Sequence, residues 1–178
     1  MEIAIILGTS RADGNTRKVV DSFIDKSGAT LFDLEKYDLS FFDYGHKNIN
    51  DDFLPLINEL ICFDHLVFAS PVYWYSVSAQ LKVFIDRFTD LLTIEKGLGR
   101  KLKGKEISII STGFEDSPRA CFSEPIELTA NYLRMKYRGN SYCSIKNELN
   151  IENLNSTLKK AMANVTYKNQ NLRCARTR

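Results

Sequence analysis

The chain has 178 residues, 44% of them hydrophobic and 26% charged, with 9 Gly, 4 Pro and a formal net charge of +2. This composition excludes a disordered, collagen-like or low-complexity polypeptide and suffices for one domain with its own core. The near balance of charge selects neither nucleic acid nor a membrane surface as a partner.

No run approaches the ~20 apolar residues of a membrane span. The 4 Cys and 2 His have no metal-ligand spacing, so no metal site is expected. Reduced structural thiols and a cytoplasmic location are the expectation.

The run from Ile3 to Leu7 is wholly apolar and ends at Gly8, which is the pattern of a parallel strand covered on both faces. Thr16, Val19, Val20, Phe23 and Ile24 then recur at helical spacing. Residues 29–34 read as a second strand, followed by a loop rich in Asp, Tyr and Asn. Asp52 is placed to cap a helix with Pro55 in its first turn and Leu56, Ile57, Leu60 and Ile61 inward.

Residues 66–69 make the third strand. From Ser76 or Ser78 a helix carries Val77, Leu81, Phe84, Ile85, Phe88, Leu91 and Leu92 on one stripe. Gln80, Lys82, Asp86, Arg87 and Asp90 take the other side. The basic residues Lys96, Arg100, Lys101, Lys103 and Lys105 read as a solvated loop before a fourth strand, 107–110.

Ser123 with Pro125 opens a helix carrying Ile126, Ala130 and Leu133 inward. A weaker fifth strand follows at 142–145, and Leu154, Leu158, Ala161, Met162 and Val165 mark a last helix. Residues 168–178 read as a polar, basic, frayed tail, which leaves 1–167 as one domain. Five β–α units in succession predict a doubly wound α/β fold with a five-stranded parallel sheet.

Such sheets bind ligands at the carboxyl ends of their strands. The first strand ends in Gly8-Thr-Ser-Arg-Ala-Asp-Gly-Asn-Thr-Arg17, where small residues leave backbone N–H groups free at a helix N-terminus. That arrangement suits a phosphate, with Ser10, Asn15 and Thr16 as further donors and Arg11 as a bidentate partner. The loop is neither a Walker A sequence nor G-x-G-x-x-G, which disfavours a nucleoside triphosphate or a Rossmann-bound dinucleotide.

The third strand ends in Ser70-Pro-Val-Tyr-Trp-Tyr-Ser-Val-Ser78, whose rings could cover a flat heterocycle or form a core or subunit contact. The fourth ends in Ser111-Thr-Gly-Phe114, where Gly113 permits close backbone approach.

Taken together, these three strand ends resemble the NAD(P)H-dependent FMN reductase group of the flavodoxin-like superfamily. The resemblance is carried by the loop at 8–17 and by Pro71-Val-Tyr-Trp-Tyr-Ser-Val-Ser-Ala-Gln-Leu-Lys-Val-Phe-Ile-Asp-Arg87. It implies strand order 2-1-3-4-5, non-covalent FMN, NAD(P)H as co-substrate, and a homodimer or homotetramer. By this likeness Ser10, Arg11, Asn15 and Thr16 hold the FMN phosphate. Pro71, Val72, Tyr73 and Trp74 border the isoalloxazine, with Ser111, Thr112 and Gly113 on its other side.

The implied reaction carries hydride from NAD(P)H through FMN to a second acceptor, such as a quinone, an azo or nitro compound or free flavin. No catalytic side chain is implied, because the cofactor does the chemistry. Residues 114–121 receive no role. The basic stretch has a competing reading, contact with the 2′-phosphate of NADPH.

Two other functions stay open. A flavodoxin-type electron carrier would be commonly acidic, whereas this chain is slightly basic. A flavin-free signalling or scaffold protein could use the same fold.

Overall fold

The first apolar run is β1 (Ile3–Leu7), with all five residues buried. In the computed structural model, which describes residues 1–146 and 149–166, the expected tail at 168–178 lies outside the described residues. After β1 come α1 (Asn15–Ser27), β2 (Thr30–Asp33), α2 (Phe53–Leu60) and β3 (His65–Pro71). The chain continues through α3 (Ala79–Asp86), α4 (Asp90–Thr93), α5 (Lys96–Lys101) and β4 (Glu106–Gly113). It ends with α6 (Ala120–Tyr132), β5 (Lys136–Ser144) and α7 (Ile151–Thr166). All strand pairs are parallel, in the order β2-β1-β3-β4-β5.

Side chains alternate across a strand, so β1 feeds two cores. Ala4 and Ile6 pack with Phe53, Leu56, Phe84 and Ile126, which places α2, α3 and α6 on one face. Ile3, Ile5 and Leu7 pack with Val19, Phe23, Leu158 and Ala161, which places α1 and α7 on the other. Phe84 and Phe88 meet edge to face with centroids 5.2 Å apart, a contact that contributes about 0.5–1.5 kcal/mol beyond its buried area.

The elements depart from their sequence expectations where tertiary context overrides local pattern. Asp52 precedes α2 but makes no side-chain cap. Its carboxylate accepts the Asp38 N–H at 2.7 Å, while Asp51 accepts the Phe53 N–H at 3.0 Å. The basic stretch is not simply a loop, because 96–101 form α5.

Helix α6 begins at Ala120, so Pro125 lies in its second turn and not at its opening. Strand β5 starts six residues before the expected 142, because an edge strand with one neighbour needs no apolar signature.

The largest departure concerns the long apolar stripe. It breaks at a single 3-10 turn, Arg87–Thr89, and Leu92 is 40% exposed. Arg87 and Asp90, expected on the polar side, are buried. The Arg87 guanidinium donates to Asp90 Oδ2 at 2.6 Å, to both oxygens of Asp51, and to the carbonyls of Ser40 and Asn48 at 3.1 and 3.2 Å. It also lies over the Phe53 ring, 4.8 Å from the centroid.

His46 completes the network, with Nδ1 2.9 Å from Asp90 Oδ1. Helical spacing identifies the face these groups occupy, but not the loop at 38–52 that folds over it.

Candidate functional site

Strands β3 and β4 run on to Pro71 and Gly113, so four of the expected contact residues, Pro71, Ser111, Thr112 and Gly113, belong to the sheet itself. Pro71 stands opposite Thr112, and the Val72 N–H donates to the Thr112 carbonyl at 2.8 Å. Across the sheet, β1 gives way to the loop that leads into α1.

The cap residue of α1, Gly14, is extended (φ −69°, ψ 174°) and supplies no side-chain cap, and the first turn carries no acidic residue. The first N–H groups of a helix have no partner within it. Those of Asn15, Thr16 and Arg17 are therefore left as donors at the loop end of α1, where Asn15 and Thr16 line the cleft. Thr16 is buried, and its hydroxyl lies 2.7 Å from that of Thr112, which ties the loop to β4.

Between these elements lies a cleft of about 220 Å³. Eight of the eleven residues expected at the site line it: Arg11, Asn15, Thr16, Pro71, Val72, Tyr73, Thr112 and Gly113. Thr9, Gly14, Phe114 and Ile145 line it too, although the sequence reading missed them. Thr9 and Gly14 stood within the quoted loop. Ile145 was read as the last residue of the fifth strand, but the register Gly113↔Ser144 sets it one residue past the sheet, beside the strand end.

The remaining three candidates sit elsewhere. The Ser111 hydroxyl is turned to Asn140 Oδ1 at 2.8 Å. The Ser10 hydroxyl accepts from Gln80 Nε2 at 3.4 Å. Trp74 lines an adjoining groove of about 200 Å³ with Tyr75, Phe114, Pro118, Arg119 and Tyr142. The two openings share Val72, Gly113 and Phe114.

Trp74 and Tyr75 take positive φ values of 47° and 65°. The Tyr73 N–H donates to the Ser76 carbonyl at 2.9 Å, and the Ser76 N–H returns to Tyr73 at 3.0 Å. This is a two-residue turn with both central residues left-handed, a conformation that costs a non-glycine residue on the order of 1 kcal/mol. It leaves Trp74 94% exposed.

Two glycines are there for space. A Cβ on Gly8 would stand 2.7–2.8 Å from Leu81 Cβ, Leu81 N and Ser78 Oγ, so β1 ends tight against the start of α3. A Cβ on Gly113 would stand 2.8 Å from the Tyr142 hydroxyl and 3.3 Å from Val72 Cβ. Gly113 thus admits its protein neighbours first. Burial raises the Tyr142 pKa above its ordinary 10.0 and the Glu115 charge adds to this, while the hydroxyl donates to the Glu115 carbonyl at 2.8 Å.

The donor set fits a flavin mononucleotide. Uncapped helix N–H groups and Arg11 lie at one end, a proline–aromatic edge and a glycine strand end lie at the other, and among the described residues no carboxylate lines the cleft. Strand order and cleft position define a flavodoxin-like α/β protein with its site at the carboxyl ends of β1, β3 and β4.

Residues 1–149 match the family model of NADPH-dependent FMN reductase, and the chain belongs to that family. It is 30% identical over 127 residues to a Bacillus subtilis protein, YwqN, provisionally named an NAD(P)H-dependent FMN-containing oxidoreductase; the match covers 67% of this chain and 70% of that one.

Among solved structures, the Trp repressor binding protein of Bacillus subtilis superposes with a TM-score of 0.70 at 21% identity, covering 93% of this chain and 97% of that one. An FMN-dependent NADH-azoreductase of Bacillus anthracis, solved with FMN, gives 0.67 at 12% identity, covering 95% and 100%.

The protein is an FMN-dependent NAD(P)H oxidoreductase. Among the described residues no helix is long and apolar enough to cross a membrane.

Proposed function

We propose that the protein passes reducing equivalents from NAD(P)H to a small planar acceptor, such as a quinone, an azo or nitro compound or free flavin. The observation that carries this reading is the pairing of two openings around Val72, Gly113 and Phe114. One offers backbone donors and a cation; the other offers exposed rings beside it. When bound, FMN supplies the hydride-accepting and electron-returning chemistry.

The chain's own residues bind and orient. The N–H groups opening α1, with Arg11, Asn15 and Thr16, hold the phosphate, and Ser10 stands at the rim. Pro71, Val72, Tyr73 and Trp74 border the ring system. Thr112 and Gly113 close its other side, and Ser111 holds β4 in place through Asn140. Trp74, Tyr75 and Phe114 exclude water from a second ring stacked at the opening.

Exposed rings of this size also suit cover by another copy of the chain, which supports a homodimer or homotetramer.

The test is anaerobic mixing of the FMN-loaded protein with NADPH and then NADH, followed by each acceptor class. Rapid flavin bleaching, with reoxidation by one class, is the expected result. FMN held but not bleached would overturn the proposal in favour of an electron carrier.

A further inference from the structure

A second cleft, of about 340 Å³, lies at the other end of the sheet, where α4, α5 and the end of α6 meet. Its floor is apolar, built from Leu91, Leu92, Leu133 and the ring of Tyr132. Its rim is cationic: Lys96, Arg100, Lys103 and Arg134 line it, and among the described residues no acidic one does. None of these four is paired with a carboxylate among the described residues.

The eight residues of β4 separate it from the cofactor cleft, roughly 23 Å at 3.3 Å per residue. The basic stretch therefore cannot meet the 2′-phosphate of a dinucleotide seated at the cofactor of the same chain.

The cleft is built before any ligand arrives. A Cβ on Gly99 would stand 2.3 Å from the Leu91 carbonyl oxygen, so the backbone of α5 rests directly on α4. The Gly104 N–H donates to the Arg134 carbonyl at 2.9 Å and joins the two walls. Arg134 itself has φ +57°, the left-handed region that favours glycine. Four like charges at one opening repel one another, and an anion among them relieves that repulsion while solvent-facing Leu92 and Tyr132 gain cover.

We propose that this cleft binds a small organic anion carrying two or more negative charges on an aromatic or aliphatic body. The apolar floor selects the body and the four cations select the charge. The volume is that of a small-molecule site.

The test uses FMN-loaded protein and calorimetric titration with naphthalene-1,5-disulfonate. Naphthalene-1,5-diol serves as the uncharged probe and inorganic phosphate as the anion without a body. Expected are one disulfonate per chain, weaker binding as salt rises, and at least tenfold weaker binding by both control probes. The double variant Arg100→Gln/Lys103→Gln raises the Kd tenfold or more, and Arg119→Gln, in the groove at the other end, leaves it unchanged.

Arg134→Gly separates recognition from folding, because it relieves the backbone and removes a cation. It raises both the melting temperature and the Kd. Failure of the holoprotein to bind the disulfonate would overturn the proposal. So would a Kd unmoved by the cleft variants, equal affinity for phosphate, or loss of binding in Arg119→Gln.

Discussion

Replacing Arg87 by Met removes a guanidinium whose side chain is 2% exposed and leaves Asp51 and Asp90 facing each other's field without a cation. Burial pulls the Arg87 pKa down, but the hydrogen bonds it donates to Asp51 and Asp90, together with their charges, outweigh this and hold the group above its ordinary value. The guanidinium is therefore charged at every pH the fold survives.

Deleting one partner of a buried ion pair costs about 3–5 kcal/mol, because the other charge stays behind. At about 2–4 °C per kcal/mol for a chain of this size, Arg87→Met should melt roughly 6–20 °C below the parent. Arg87→Lys should fall between them, since an ammonium keeps the charge but not the forked donors. Adding Asp90→Asn to Arg87→Met removes an orphaned charge and should return roughly 1–3 kcal/mol. Urea unfolding read by circular dichroism measures all four proteins. A loss under about 1 kcal/mol, or no recovery in the double variant, would refute the reasoning from a buried network.

Gly8→Ala forces a Cβ within 2.7–2.8 Å of Leu81 and Ser78, and should cost about 1–3 kcal/mol in the same unfolding assay. Thr16→Val removes the 2.7 Å hydroxyl contact with Thr112; together with Asn15→Ala it should weaken FMN binding at least tenfold by fluorescence titration, and an unchanged Kd would sink the phosphate assignment. Burial raises the Cys143 thiol above its ordinary 9.0, so the folded chain holds that proton longer than the unfolded one. Its stabilising share is complete below pH 9 and fades as pH climbs past it; Cys143→Ala should flatten the fall in urea midpoint above about pH 9. Lys101→Ala and Lys103→Ala should leave the NADPH-to-NADH ratio of kcat/KM within about twofold, because both residues precede the start of β4, at the end opposite the proposed cofactor cleft.

What the sequence disclosed follows from what each residue faces. The run 3–7 was legible because a strand covered on both faces is apolar throughout. Lys136, Arg138 and Asn140 hid the first half of β5: Lys136 is exposed, while Arg138 and Asn140 turn to Glu106 and Ser111 of β4, partners that no local pattern shows. Arg87 and Asp90 looked solvated because their cover, the loop at 38–52, is remote in sequence and has no periodicity of its own.

At the site, the loop at 8–17 and the strand ends at 71–73 and 112–113 were legible as small or aromatic residues in the right order. Ile145 was not, because only strand register reveals that an ordinary core residue stands at the rim.

The Ser78 hydroxyl donates to the Gly8 carbonyl at 2.8 Å, and the Ser78 N–H donates to Ser70 Oγ at 2.9 Å. One serine thus fastens the end of β1, the end of β3 and the first turn of α3 into a single joint. The jaws of the cofactor cleft hang from that joint like the arms of a fixed caliper, set to one gap when the chain folds. On the proposed function, what adjusts to differently shaped acceptors is the tips, the rings of Trp74, Tyr75 and Phe114, while the joint itself stays fixed.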